Sequence, residues 1–126
     1  MIGFWIFMLL MDLLTPLTMI GFGWLFMTRP PEKINAVFGY RTAMSMKNKD
    51  TWEFAHRFCG RLWFRCGLAL LPAAVVPLVF VLGSSIDTIG TVGGIVCMIE
   101  LVPLAGSILP TEAALKKTFD RNGVRR

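Results

Sequence analysis

Three stretches of the chain are almost continuously apolar, and polar residues gather between and after them. They run from about Ile2 to Met27, from Leu62 to Leu82 and from Thr88 to Leu109. Each is close to the roughly 20 helical residues needed to cross about 30 Å of hydrocarbon. The pattern predicts an all-α integral membrane protein whose residues 1–126 form a single domain with three transmembrane helices. The polar pattern predicts an ordered loop over residues 28–61 and a tail over residues 110–126.

Interruptions of the apolar pattern predict finer features. Asp12 and Pro16 break the first span, where Thr15 and Thr18 can bond to backbone groups that the proline leaves unsatisfied, so a kink is expected. Thr28-Arg29-Pro30-Pro31 ends that helix. Asp50-Thr51-Trp52-Glu53 resembles a capping box, an acid at the cap with Glu three residues later, and predicts the next helix start. Beyond it Ala55, Phe58, Cys59, Leu62 and Cys66 keep helical spacing, while Arg57, Arg61 and Arg65 recur every four residues on another face. This is an amphipathic lead-in to the second helix. Unbroken helix here would exceed the hydrocarbon thickness, so its first turns are expected to project from the membrane or to bend at Gly60. In the third span Gly90 and Gly94 are four apart, a spacing that serves close packing within the chain as well as a homo-oligomer. After Pro110, residues Thr111 to Asn122 are expected to form a short C-terminal surface helix with Leu115 and Phe119 on one face, ended by Gly123.

Composition agrees: with 55% hydrophobic residues and a mean hydropathy of +0.62, the chain holds more apolar material than a 126-residue soluble core can hide. The net charge of +5 changes the picture only through its placement. Of 13 Lys and Arg residues, eight lie between Arg29 and Arg65 and five between Lys116 and Arg126, with none in the N-terminal stretch or in Gly83–Asp87. The positive-inside rule then places the N-terminus outside and the loop and tail in the cytoplasm. The partner implied for the basic residues is the anionic cytoplasmic lipid face, not nucleic acid. The first stretch is longer than a signal-peptide core and has no convincing cleavage site, so it is expected to be retained. Cys59 and Cys66 fall near the loop side and Cys97 inside the third span, which argues against a structural disulfide.

Two groups of residues carry candidate chemistry. Asp12 and Glu100 each fall near mid-span, where a carboxylate costs a few kcal/mol unless it is paired, solvated or protonated. They are candidates to share a proton, bind a cation or accept hydrogen bonds, or else are packing residues bonded to Ser or Thr. The second group, Tyr40, Arg41, Thr42, Ser45, Asn48, Trp52 and His56, offers donors, a cation and aromatic faces suited to a phosphate, a lipid head group, a carboxylate or a peptide terminus. The alternative is a self-satisfied loop in which Arg41 ties down carbonyls and Trp52 is an interfacial anchor. His56 and Cys59, even with Cys66 or Cys97, lack a C-x-x-C pair, so no metal and no cofactor is expected. No nucleophile, zinc-protease or Walker motif supports a named enzymatic reaction.

The run Ile34-Asn35, Gly39-Tyr40-Arg41-Thr42, Ser45, Lys47-Asn48, Trp52, Ala55-His56 and Gly60 resembles the signature of the SdpI family of bacterial membrane proteins. The resemblance extends from Pro30 into the second span, more loosely into the Pro110 to Arg126 tail, and implies a multi-pass protein of the bacterial cell membrane. Members include immunity proteins that protect a producer cell from a secreted, membrane-active toxin peptide, and one also holds a transcriptional repressor at the membrane. By resemblance, the expected partner is a toxin peptide or another membrane protein. The three spans expected here are fewer than those of the longer immunity proteins, which carry a further N-terminal membrane segment. A small transporter or lipid-handling protein, using Asp12 and Glu100 as a proton or cation site, is the rival expectation.

Overall fold

A computed structural model describes residues 2–34 and 39–126. Asn35, part of the family-like run, lies outside the described residues. The chain folds as α1 (Ile2–Thr28), α2 (Lys49–Phe80), α3 (Ile86–Gly106) and α4 (Ile108–Thr118). Three segments are long and apolar enough to cross a membrane: Ile2–Thr28, Lys49–Phe80 and Ile86–Thr118, the last made of α3 and α4 together. Large apolar side chains remain exposed along all three, among them Leu10, Leu14 and Leu17 on α1, Val76 and Phe80 on α2, and Met98 and Val102 on α3. In water such a surface would aggregate; against lipid tails it needs no cover.

Close approach between α1 and α2 depends on glycine. A Cβ on Gly23 would stand 2.7 Å from the Gly60 carbonyl oxygen and 2.6 Å from the Phe64 nitrogen, and one on Gly60 would stand 2.7 Å from the Gly23 oxygen. Without side chains at either position the two backbones touch, which is how helices gain packing contact where lipid supplies no hydrophobic drive. The helices run antiparallel: at one end Trp5 Nε1 donates to the Leu78 carbonyl at 2.6 Å, and at the other Arg57 Nη1 donates to the Met27 carbonyl at 2.8 Å. Arg57 thus places a cation against a carbonyl of the last turn of α1. α1 runs unbroken through Pro16, where the Thr18 hydroxyl donates to the Leu14 carbonyl at 2.6 Å.

Several boundaries differ from the sequence expectation. α2 starts at Lys49 with Asn48 as its cap, not at Asp50: the Asn48 side chain accepts from Thr51 N–H at 2.9 Å and the Thr51 hydroxyl accepts from Asn48 N–H at 3.1 Å. Asp50 is instead paired with Arg125 of the tail, at 2.7 and 3.2 Å. α2 continues through Gly60 without a break, about 48 Å over its 32 residues, which is longer than the hydrocarbon thickness. The expected helix from Thr111 to Asn122 begins earlier and ends earlier, over Ile108–Thr118, because Phe119 turns extended and Gly123, at φ 82°, sits in a turn closed by Asp120. Leu115 and Phe119 do share a face, both fully buried with Tyr40, Ala55 and Cys59 in the core at the loop end. Gly94 has nothing within 4 Å of a built Cβ, whereas at Gly93 the side chains of Met8 and Asp12 crowd in from α1. α1 therefore packs on α3 most tightly at Gly93 and, through Phe4, 3.7 Å from such a Cβ, also at Gly90, but not at Gly94.

Candidate functional site

The loop between α1 and α2 is built around His56. Its Nε2 accepts from the Tyr40 N–H at 2.8 Å and its Nδ1 lies 2.8 Å from the Trp52 carbonyl, so the imidazole is neutral with its proton on Nδ1. Gly39, at φ 108°, lies so close that a Cβ there would run into the His56 ring. Trp52 is fully buried against His56, ring centroids 4.3 Å apart, and Nε1 donates to the Pro31 carbonyl at 2.8 Å, which fixes the chain leaving α1. Ser45, also fully buried, accepts from Thr42 N–H at 2.9 Å and its hydroxyl reaches the Tyr40 carbonyl at 3.1 Å. Asn48 caps α2 and sends Nδ2 to the Gly123 carbonyl at 2.7 Å, tying loop to tail.

Of the seven loop residues singled out from the sequence, Ser45, Asn48, Trp52 and His56 thus spend their polar atoms on shaping the loop. Tyr40, Arg41 and Thr42 do more: together with Gly39 they roof a cleft of about 510 Å³. Thr18, Phe22 and Phe26 of α1 form one wall; Cys59 and Trp63 form the floor, and Leu104, Ser107 and Ile108 form the wall opposite. Its size falls within the range of small-ligand sites, and apolar surface with a few polar groups at one end is their usual lining. Thr18, Phe22 and Ile108 are exposed, so the cleft opens sideways between α1 and the α3–α4 junction, where lipid would stand.

Two residues that periodicity did not single out, Ser107 in the cleft wall and Glu112 behind Tyr40, complete the cleft's polar groups. The Tyr40 hydroxyl donates to Glu112 Oε1 at 2.9 Å. Burial, followed by that carboxylate, pushes the Tyr40 hydroxyl well above its usual range, so it stays a donor. Ser107, at the break between α3 and α4, accepts from Trp63 Nε1 at 2.8 Å and donates to the Leu104 carbonyl at 2.8 Å. Pro103 and Pro110 on either side of Gly106-Ser107 were the available signal for this junction.

Deeper in the bundle, Asp12 and Glu100 come together. Each is 1% exposed, and no donor among the described residues reaches any of their four carboxylate oxygens. Cys97 joins them, while His56 and Cys59 lie apart in the loop core. The Ser and Thr partners that would make these acids packing residues are absent among the described residues.

The cleft roof and the α3 wall fall in one matched segment: a family model described as the SdpI/YfhL protein family matches residues 32–111. The chain belongs to this family. A Bacillus subtilis (strain 168) relative, "Uncharacterized protein YfhL", is 42% identical over 41 residues, 32% of this chain and 37% of that protein. The aligned part spans little more than a third of the relative's length, so membership carries the membrane architecture rather than a particular activity. No solved structure matches the chain.

Proposed function

We propose that this SdpI/YfhL-family protein binds a membrane-active peptide in the cleft beneath the Tyr40-Arg41-Thr42 roof, giving immunity-like protection against a secreted toxin. The observation that carries the reading is the cleft itself: aromatic and apolar walls from two membrane-spanning segments, open to the side, with Arg41, Thr42 and the Tyr40 hydroxyl, which donates to Glu112, as polar groups beside them. A peptide already inserted in the bilayer can enter from lipid without crossing water, and Arg41, whose planar fork suits a carboxylate, can receive its terminus. In this reading the loop and tail face the cytoplasm, as the Lys and Arg distribution implies. The cells are those of a bacterium.

The test is survival of cells expressing the protein when challenged with secreted membrane-active peptides, wild type against Ile108→Trp. Ile108 stands at the rim, so the larger ring fills the cleft while the backbone carbonyl that faces Tyr40 is kept. Protection by the wild type and its loss in Ile108→Trp are expected; equal protection by both would put the ligand elsewhere.

A second reading, a small transporter, is favoured by the meeting of Asp12 and Glu100. It requires proton or cation flux in liposomes that Asp12→Asn or Glu100→Gln removes. No flux from the wild type would leave the acids without a transport role.

A further inference from the structure

Asp12 on α1 and Glu100 on α3 are buried, and no donor among the described residues reaches their carboxylates. Gly93, one turn before Cys97, is bare where a Cβ would meet Asp12 Oδ2 at 3.4 Å, and this lets α1 and α3 close at the level of the acids. Cys97 lies three residues before Glu100 and so on the same side of α3. One donor atom each from Asp12, Cys97 and Glu100 lies within 4.8 Å of the other two.

We propose that Asp12, Cys97 and Glu100 form a binding site for a divalent cation of the zinc type. The donor set decides the class of ion. Calcium and magnesium take six or more oxygens, whereas a thiol beside two carboxylates suits a softer or borderline ion. Three protein ligands leave a fourth position open, the arrangement in which zinc keeps a water. Glu100 also borders a cavity of about 220 Å³ between α2 and α3, otherwise lined by apolar residues. The charges also fit. Two ionised carboxylates balance a divalent ion; binding through sulfur releases the thiol proton, and the site stays neutral when one carboxylate keeps a proton. A proton shared between the acids would satisfy them but give Cys97 no part. The site does not depend on the peptide-binding reading, and its test reads binding alone.

The test uses full-length protein purified in detergent free of metal and titrated with cadmium, a zinc-like probe whose thiolate complexes absorb in the ultraviolet. The wild type is expected to take one cadmium per chain with a thiolate charge-transfer band, and zinc should displace it. Cys97→Ser should lose the band, and the Asp12→Asn/Glu100→Gln double variant should bind at least about tenfold more weakly. Helix content by circular dichroism shows that each variant is folded. A wild type that binds no cadmium overturns the proposal, as does a double variant that binds as tightly as the wild type, which would assign the metal to cysteines alone. Should the double variant not fold, Cys97→Ser decides: an unchanged band and affinity overturn the site. None of these results bears on survival in the peptide challenge.

Discussion

Replacing Gly39 by Ala should loosen the roof of the cleft while leaving α1 and α3 as they are. The backbone at Gly39 has φ 108°, a conformation that costs an L side chain about 1–3 kcal/mol. The added Cβ would also run into the His56 ring, whose Nε2 takes the Tyr40 N–H at 2.8 Å. If the ring gives way, a buried donor is left unpaired, at a further cost of about 1–3 kcal/mol. A combined cost of about 3 kcal/mol corresponds to a roughly hundredfold shift of the local opening equilibrium, at 1.4 kcal/mol per factor of ten. Opening of a loop that carries its own hydrogen bonds is read by amide exchange rather than by global unfolding. Hydrogen–deuterium exchange of the segment from Tyr40 to Ser45, in micelles, should therefore accelerate by about two orders of magnitude, while α1 and α3 exchange as in the wild type. Wild-type exchange in that segment would refute the idea that the Gly39–His56 contact holds the roof in place.

Gly60→Ala should push α1 and α2 apart, because its Cβ would meet Gly23 O at 2.7 Å and Met27 N at 2.8 Å, and cost about 1–3 kcal/mol; the thermal midpoint in micelles should fall, while Gly94→Ala, with open space around it, should not lower it. Asn48→Ala removes the cap of α2 and the bond to Gly123, so limited proteolysis should clip the tail after Thr118 faster, at a cost of about 1–2 kcal/mol; unchanged clipping would mean that the Asp50–Arg125 pair and Phe119 hold the tail alone. For orientation, a single cysteine at Ser84 in a background without the native cysteines should react with an impermeant reagent in intact cells, as expected if the basic loop is inside; protection there would reverse the topology.

The three spans were legible because lipid demands about 20 apolar residues in a row, a signal that needs no knowledge of packing. Local signals were ambiguous where two solutions fit. Asn48/Thr51 and Asp50/Glu53 both satisfy a capping pattern, and what separates them is distant in sequence: Gly123 binds the Asn48 amide and Arg125 takes Asp50. The single helix expected after Pro110 ends at Thr118 because Phe119 is drawn extended into a bridge with Arg125, a pairing that helical periodicity does not reveal. Asp12 and Glu100 were each recognisable from their cost in hydrocarbon, but their meeting depends on the register of α1 against α3, which Gly93 sets. Among the loop residues, polar type and spacing marked the right region. Whether a side chain turns inward, as Ser45 does, or lines the cleft, as Thr42 does, is decided by three-dimensional closure of the loop on His56.

Site-specific photocrosslinking tests the location of the ligand most directly. A photoreactive p-benzoylphenylalanine placed at Phe22, an aromatic residue of the cleft wall that is 38% exposed, is compared with one at Val79, which is 53% exposed near the far end of α2. In cells exposed to a peptide against which the protein protects, the peptide should crosslink from position 22 and not from position 79. Equal crosslinking from both positions, or crosslinking from 79 alone, would contradict a binding site beneath the Tyr40-Arg41-Thr42 roof.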